Sequence, residues 1–306
     1  MKYIFIVNPK SRSGKGKQIW NQIEPELLKE RVDFDVYFTK YQKHAEKLAA
    51  EITSDGDEHT LVVLGGDGTI NEVVNGIRNL SAVTLGYIPS GSGNDFTRSL
   101  KLPCNPKKAL QNVLAGTRTE TLDIGTVTAG GETRRFAVSA GIGFDAGVCW
   151  QIRQSMLKKW LNMVGLGSLS YVGVALSQLA KEKMSAMTVS LDNGEVFRLE
   201  KTLFVAVMNH PYEGGGFFFC PEAKVNDGML DVIAAAGIPK WKMLYLLPKA
   251  YKGKHVGYKG IHIFKCREVR IEAESGLPVH TDGECAVRTD VLAAGLDAGR
   301  FRVIVP

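Results

Sequence analysis

The sequence of 306 residues predicts a doubly wound α/β domain followed by an antiparallel β-sandwich. First, apolar runs typical of buried strands alternate with segments of helical apolar spacing over roughly the first 120 residues. Second, the strand pattern at residues 61–64 runs directly into the turn GGDGT and then into a helix pattern, as in parallel sheets. Third, short strand patterns dominate beyond residue 123, separated by turns such as Asp192-Asn193-Gly194.

The first domain is assigned residues 1–123. Its strands are expected at residues 3–7, 34–39, 61–64, 84–88 and 120–127, and its helices at 19–28, 43–52, 70–77 and 105–114. Ligands of such sheets collect at the carboxyl ends of the strands. Asn8, Thr39, Asp67 and Asp95 each follow a predicted strand, so we expect them to converge on one crevice.

The second domain is assigned residues 124–289. Strands are expected at residues 136–140, 187–191, 203–208, 230–235, 262–264 and 268–271. A helical segment is expected at 151–183, interrupted by Gly165 and Gly167, and a shorter helix at 240–251. A last strand at 300–305 falls in a C-terminal segment, 290–306, that could join the first domain, but the pattern leaves this open.

The composition is that of a soluble globular protein, with 44% hydrophobic and 23% charged residues. The net charge of +6 is compatible with ATP or acidic lipid headgroups, and no arginine-rich arm argues for nucleic acid. Five widely spaced cysteines without a CxxC pair predict reduced thiols in the cytosol and no zinc site. Because no stretch approaches the length of a membrane span, we expect any membrane contact to be peripheral.

The turn at residues 65–69 is the strongest candidate site. Gly65, Gly66 and Gly68 allow a close backbone approach to a ligand, and the amides at the start of the following helix face it. Asp67 adds a carboxylate, which suits a phosphate site that uses a divalent cation or a proton transfer. The alternative is a glycine turn with a helix-capping Asp.

Other segments offer weaker signals. The small, polar and basic residues 8–16 suit a second phosphate-facing loop but lack the spacing of a Walker A motif. Asp227-Gly228 could bind Mg²⁺ or Ca²⁺, or form a simple turn. Asp282 and Glu284 flank Gly283, and could supply a metal ligand and a general base, or form a solvated hairpin tip.

Two apolar segments have alternative interpretations as well. Residues 209–219, with three glycines beside three phenylalanines, could form a bulged core strand or a wall for an apolar substrate. Residues 150–172 mix Trp and Met with Arg and Lys, and could contact a membrane or pack on the core.

Taken in order, these motifs resemble the diacylglycerol kinase catalytic-domain family, most closely its soluble bacterial lipid kinases and more distantly the sphingosine kinases. The matching residues span nearly the whole chain: Asn8-Pro9 with Ser11; Thr39 with His44-Ala45; Gly65-Gly66-Asp67-Gly68-Thr69 with Asn71-Glu72-Val73-Val74-Asn75-Gly76; Pro89 with Gly93-Asn94-Asp95-Phe96; Asp123; Asn209 with Gly214-Gly215-Gly216; Pro221 with Ala223 and Asp227-Gly228; and Asp282-Gly283-Glu284.

The resemblance implies a nucleotide domain like that of phosphofructokinases and NAD kinases, a β-sandwich behind it, and ATP in the cleft between them. It implies ATP contacts from the first loop, from the glycine turn with the helix after it, and from two single residues. These are Asn8, Pro9, Lys10, Ser11, Arg12, Thr39, Gly65, Gly66, Asp67, Gly68, Thr69, Ile70, Asn71, Glu72 and Ser92. Ser92 stands where Thr is usual, and Arg12-Ser13-Gly14 replaces a tight Ser-Gly pair, so phosphate contacts there could shift.

The resemblance also implies a structural Mg²⁺ held by the Asp227 side chain and the carbonyls of Lys224 and Met229. Asp67, Asp95, Asp123 and Asp282 would join it in an acidic network, and Glu284 falls at the position of a general base. Asp67, Asp282 and Glu284 are therefore the expected catalytic residues.

The expected activity is Mg²⁺- and ATP-dependent phosphorylation of a lipid hydroxyl, with diacylglycerol as the first candidate and phosphatidic acid as its product. The expected partners are the lipid and a membrane surface that a cytoplasmic protein meets transiently. A homodimer through an exposed sheet edge is a further option. The alternatives are an NAD kinase-like small-molecule kinase and an inactive regulator that binds lipid or nucleotide.

Overall fold

The computed structural model describes residues 2–154 and 184–306, without the side chains of residues 150–154 and 286. The chain forms two compact units, one of Met1–Ile124 with Ala298–Pro306 and one of Gly125–Asp297. The helical segment expected at 151–183 lies outside the described residues apart from 151–154, as does nearly all of the membrane-contact candidate at 150–172.

The first unit is built on a six-stranded sheet that is parallel except at one edge. Its strands are β1 (Tyr3–Val7), β2 (Phe34–Phe38), β3 (His59–Gly65), β4 (Val83–Pro89), β5 (Arg118–Leu122) and β15 (Phe301–Val305). Their order in the sheet is β2-β1-β3-β4-β15-β5, and β5 alone runs antiparallel to its neighbour. The doubly wound α/β prediction is confirmed.

Five helices connect these strands. They are α1 (Ser11–Lys29), α2 (His44–Ile52), α3 (Asp67–Gly76), α4 (Asp95–Ser99) and α5 (Pro106–Ala115), with 3₁₀ turns at Thr53–Asp55 and Leu80–Ala82. The indole of Trp20 on α1 packs edge-on against Phe5 and Phe34, with ring centroids 5.4 and 6.0 Å away. These apolar contacts fix α1 against the sheet and thereby place the loop that precedes it.

The C-terminal strand β15 lies between β4 and β5, parallel to β4. Of the segment 290–306, which the sequence left open as part of the first domain, the residues up to Leu296 belong to a strand of the second unit. The strand expected at 120–127 is wrong: β5 ends at Leu122, the next strand begins at Gly125, and Asp123 lies in the link. The physical reason is that Asp123 is buried in an ion pair with Arg300 while the chain passes from one sheet to the other.

The second unit is β-rich. Its strands are β6 (Gly125–Ala129), β7 (Glu132–Phe136), β8 (Ser139–Gly143), β9 (Ser185–Leu191), β10 (Val196–Met208), β11 (Leu230–Ala236), β12 (Ile261–Cys266), β13 (Val269–Thr281) and β14 (Glu284–Leu296), with helices α6 (Phe144–Gln154) and α7 (Lys240–Ala250). All the strand pairs are antiparallel, in the order β12-β11-β10-β8-β13-β14-β6-β7. Both β8 and β9 pair with β10 and with β13, and all nine strands contribute side chains to the apolar core.

Two strand predictions for this unit are corrected. The strand expected at 136–140 is wrong, because Ala137 and Val138 form a turn between β7 and β8 and direct their amides at Asp282. The strand expected at 268–271 continues to Thr281, and the prediction was too short because Gly276 and Pro278 interrupt the alternating pattern within β13. The strand β14 was not predicted as a strand. Among the described helices, none is long and apolar enough to cross a membrane.

Candidate active site

Hydrogen bonds join the loops that follow β1, β3 and β4 at the carboxyl ends of these strands. The side-chain amide of Asn8, after β1, donates to the hydroxyl of Thr69 at the start of α3 (3.0 Å). The hydroxyl of Ser11 lies 2.6 Å from that of Ser90, which follows β4. These bonds bring together three of the loops in which the sequence predicted nucleotide contacts.

The two glycine turns after β3 and β4 touch through their backbones. A Cβ on Gly91 would lie 2.9 Å from the Cα of Gly66, so neither turn leaves room for a side chain at this point. Gly65 accepts a hydrogen bond from the backbone N–H of Ser90 (2.8 Å) and one from the Tyr87 hydroxyl (3.1 Å). The turns therefore form one rigid, glycine-lined surface at the N-terminus of α3.

Asp67, the first residue of α3, accepts a hydrogen bond from the backbone N–H of Asn94 (2.8 Å). Asn94 has a φ of 53°, in the left-handed region, which directs its amide at this carboxylate. Asp67 thus ties the second glycine turn to the first. The N-cap position of α3 is Gly66, and Asp67 lies in the first turn of the helix.

The first loop winds in an unusual conformation. Arg12, Ser13 and Gly14 have φ values of 43°, 57° and 97°, so the regular part of α1 begins only after Gly14. A Cβ on Gly16 would overlap the carbonyl oxygen of Asn8, so glycine is required there. Lys10, Arg12 and Ser13 are exposed, and this winding presents basic side chains beside the joined turns.

Three other residues predicted to contact the nucleotide, Thr39, Ser92 and Glu72, differ in their surroundings. Thr39 is buried, and its N–H donates to the carbonyl of Val7 at the end of β1 (2.9 Å). Ser92 is exposed in the turn after β4. The Glu72 carboxylate accepts hydrogen bonds from the backbone N–H groups of Lys43 (2.9 Å) and Ala45 (3.1 Å), and so caps α2.

Asp95 and Asp123, expected in an acidic network, are both buried and each pairs with an arginine. Asp95 lies 2.8 Å from Nη1 of Arg98, and Asp123 lies 2.7 Å from Nε of Arg300. Both arginines are themselves partly exposed. The pairs compensate the charge of the two buried carboxylates.

In the second unit, Asp282 and Gly283 form a two-residue turn between β13 and β14, with φ values of 49° and 79°. The Asp282 carboxylate accepts hydrogen bonds from the backbone N–H groups of Ala137, Val138 and Ser139 at 2.8, 2.8 and 3.0 Å. The hairpin tip is therefore fastened to the β7–β8 turn. Glu284, two residues later, is exposed.

A buried cluster beneath this tip was missed by the sequence analysis. Nε2 of His280 lies 3.0 Å from a carboxylate oxygen of Asp145 and 3.1 Å from one of Glu213. A Cβ on Gly141 would overlap Asp145, so this glycine makes room for the cluster. The three residues lie in the segments GFDA, YEGGG and HTDGE, which are far apart in the sequence. No local pattern therefore indicated that they meet.

The cluster could hold a metal by composition, since its ligand atoms lie within 4.8 Å of one another. However, Nε2 of His280 faces both carboxylates, at 3.0 and 3.1 Å, a geometry that suits an N–H donor between two acceptors. Burial lowers the pKa of His280, but Glu213 and Asp145 outweigh it and raise that pKa well above its ordinary value. We therefore interpret the cluster as a protonated imidazole held between two carboxylates, which leaves the ring no lone pair for a metal.

The aromatic segment 213–219 is a tight loop rather than a bulged core strand, because β10 already ends at Met208. An antiparallel bridge between Glu213 and Phe217 closes it, and Gly214, Gly215 and Gly216 all have positive φ. The rings of Phe217 and Phe219 stack at 5.5 Å and are half-buried. An apolar, partly exposed wall remains.

Comparisons with known proteins decide the family. Residues 2–127 match the model of the diacylglycerol kinase catalytic domain, and residues 138–304 match the YegS C-terminal NAD kinase beta sandwich-like domain. A Bacillus subtilis protein named "Putative lipid kinase YtlR" is 30% identical over 92% of this chain and 93% of its own length.

The chain belongs to the diacylglycerol kinase catalytic-domain family.

Other relatives of this family agree. A diacylglycerol kinase of Mycobacterium tuberculosis is 30% identical over 78% of this chain and 74% of its own. A crystal structure of a diacylglycerol kinase from Bacillus anthracis superposes with a TM-score of 0.70 at 26% identity, covering 100% of this chain and 97% of that one. An NAD kinase from Archaeoglobus fulgidus in complex with ATP, at 12% identity and a TM-score of 0.52, shares the fold. The chain is a kinase of a lipid kinase family.

The metal that the family implies at Asp227 does not fit the surroundings of that residue here. One carboxylate oxygen of Asp227 lies 2.6 Å from Nζ of Lys265, and the other accepts the N–H of Met229 (3.2 Å). Both oxygens are therefore engaged, one of them by a cation of the chain itself. A metal at this turn would have to displace Lys265, so the ligand set of Asp227, Lys224 and Met229 stays a prediction and no chemical step is assigned to it.

Proposed function

We propose that this protein transfers the γ-phosphate of ATP, supplied as its Mg²⁺ complex, to the hydroxyl of diacylglycerol and so forms phosphatidic acid. The observation that carries the proposal is the joined set of glycine turns, with Asn8 bonded to Thr69 and Gly66 in contact with Gly91. Rigid backbone amides at a helix N-terminus are suited to phosphate, and the relatives named diacylglycerol kinase suggest the acceptor.

In the proposed reaction the nucleotide phosphates bind the amides of residues 66–69 and the hydroxyls of Ser11 and Ser92. Lys10 and Arg12 supply positive charge from the first loop, and Asp67 would help to hold the metal that accompanies ATP. Phosphoryl transfer needs positioning and fixed charge more than covalent help, and these groups supply both.

Glu284 is proposed as the general base. Its carboxylate takes the proton of the lipid hydroxyl while that oxygen attacks the γ-phosphorus, and the bond from the γ-phosphorus to the bridging oxygen breaks to release ADP. Asp282 is proposed as a positioning residue, because its three bonds to backbone amides fix the hairpin tip from which Glu284 starts.

The aromatic loop 213–219 is proposed as the wall for the acyl chains. Its half-buried phenylalanine rings offer apolar surface, and its three consecutive glycines allow the loop to adjust to a ligand. The chain length of the lipid would then affect turnover through this loop.

The test is transfer of labelled γ-phosphate to diacylglycerol, other lipid alcohols and NAD, with wild type beside Glu284→Gln. Glu274→Gln is the matched control, since Glu274 is also exposed and lies on the adjacent strand β13. We expect labelled phosphatidic acid from wild type and control, and at least about a hundredfold lower turnover with Glu284→Gln at similar ATP binding. Transfer of the label to NAD would indicate a small-molecule kinase and refute the proposal. ATP binding without any labelled product would favour a regulator.

A further inference from the structure

Helix α7 is apolar on two faces. Met243, Leu246 and Ala250 are buried against the core of the second unit. Trp241, Leu244 and Tyr245, at the i, i+3 and i+4 positions of the same helix, point the other way and are 72, 44 and 56% exposed. The packing of the helix within the unit explains the first face only.

The exposed apolar surface continues beyond the helix. Tyr251 and Val256, in the turns after α7, are 52 and 47% exposed. Half of the large apolar side chains that the described part of the chain exposes thus fall within 16 residues of sequence, at Trp241, Leu244, Tyr245, Tyr251 and Val256. An exposed apolar patch of this kind marks a surface for a partner.

The charge around this surface has one sign. Residues 239–260 contain no Asp or Glu but six lysines: Lys240, Lys242, Lys249, Lys252, Lys254 and Lys259. Nζ of Lys249 lies 4.7 Å from the ring centroid of Tyr245 and 5.4 Å from that of Tyr258, which holds one of these charges beside the apolar face. The partner should therefore be negatively charged on its surface and apolar just beneath it.

The surface is joined to the aromatic loop 213–219. The Tyr251 hydroxyl donates to the carbonyl of Gly215 (2.8 Å), and its ring packs edge-on against Phe217 at 5.1 Å. The N–H of Phe218 donates to the carbonyl of Ala250 at the end of α7 (3.0 Å). A partner seated on α7 would lie next to the wall proposed for the acyl chains.

We propose that Trp241, Leu244 and Tyr245, with the lysines of residues 240–259, form a docking face for an anionic lipid bilayer. Trp and Tyr suit the headgroup level, a leucine reaches the acyl chains, and lysines bind anionic headgroups. A symmetric dimer through this face would bring the lysines of one copy against those of the other, which argues against a second copy as the occupant. The proposal rests on the proposed function only in its link to the lipid substrate.

The test is sedimentation of the full chain with extruded vesicles of phosphatidylcholine, with and without phosphatidylglycerol, in the absence of ATP. We expect binding that needs the anionic lipid and falls with salt. Trp241→Ser with Leu244→Ser should weaken it more than about tenfold, and Lys252→Gln with Lys254→Gln about fivefold per lysine removed. The matched control is Leu28→Ser with Lys29→Gln on α1, where Leu28 is 64% exposed, and it should bind like wild type.

A second measurement separates docking from catalysis. On a short-chain diacylglycerol dispersed as monomers, the Trp241/Leu244 variant should turn over like wild type, whereas on vesicles it should be slow. If the wild-type protein binds vesicles but phosphorylates no lipid, the docking proposal stands and the kinase proposal is refuted. The docking proposal is overturned if the variant binds vesicles as well as wild type. It is also overturned if the wild-type protein does not bind vesicles but forms a dimer that the variant cannot form. Binding of an oligonucleotide in place of vesicles would overturn it as well.

Discussion

Asp282 is held by more backbone donors than any other carboxylate for which bonds are described. Three N–H groups, of Ala137, Val138 and Ser139, converge on its two oxygens. Charge-assisted bonds of this kind are about twice as strong as neutral ones, and a donor left without its acceptor costs more than the bond itself contributes. The conformation of the hairpin tip therefore depends on the negative charge at this position.

Asp282→Asn should lower the free energy of unfolding by about 2–3 kcal/mol, because an amide nitrogen would replace one acceptor with a donor. Urea denaturation measures this. Asp192→Asn is the control, since Asp192 accepts one backbone N–H, from Arg267 at 3.1 Å, and should cost less than about 1 kcal/mol. Equal losses for the two variants would contradict the assigned role of Asp282.

Sequence patterns predicted Asp282 and Glu284 as site candidates but could not choose between a chemical role and a solvated tip. The hairpin was correct, yet solvation was wrong for Asp282, because its donors lie about 145 residues earlier in the chain. Asp145, Glu213 and His280 were missed for the same reason. Local patterns predict turns and strands, whereas contacts between distant residues depend on the tertiary fold.

At the scale of elements, patterns succeeded for the short strands of the parallel sheet and failed where a strand bends. The strands β1 to β4 are five to seven residues long, and each lies within two residues of its predicted place. The strands β10 and β13 are 13 residues long and carry register shifts where the strand passes from one neighbour to another, so only parts of them were predicted. Irregular strands weaken the alternation on which the prediction depends.

The turn between the aromatic loop and β11 offers a test of the metal expectation. Lys265 on β12 reaches Asp227 at 2.6 Å, and the pair lies where the family resemblance implies Mg²⁺. We expect the melting temperature of wild type to be the same in EDTA and in millimolar Mg²⁺. Lys265→Met should leave the carboxylate without its cation, so that Mg²⁺ raises the melting temperature of this variant.

The control for that experiment is the double variant Lys265→Met with Asp227→Asn, which should not respond to Mg²⁺. If EDTA lowers the melting temperature of wild type and Asp227→Asn abolishes that effect, Lys265 does not exclude a metal and the implied ligand set is correct.

For the whole molecule, two buried groups of the second unit, His210 and Asp231, change the stability with pH in opposite directions. Burial lowers the pKa of His210 to about 3, so the unfolded chain binds more protons between that value and 6.5, and stability falls as the pH falls. Burial raises the pKa of Asp231 to about 6, against the influence of Lys265. Between pH 3.8 and 6 the native state therefore binds the proton of Asp231 more tightly, and stability rises as the pH falls.

His210→Gln should remove the first effect and leave the second. In urea denaturation followed from pH 6 to pH 4, the variant should lose less stability per pH unit than wild type, by up to about 1.4 kcal/mol. Asp231→Asn should do the reverse and steepen the acid loss. The slope is the decisive quantity, because either substitution in a buried site can lower stability at every pH. Parallel curves for wild type and His210→Gln would mean that His210 is protonated in the native state, and that burial does not control its charge.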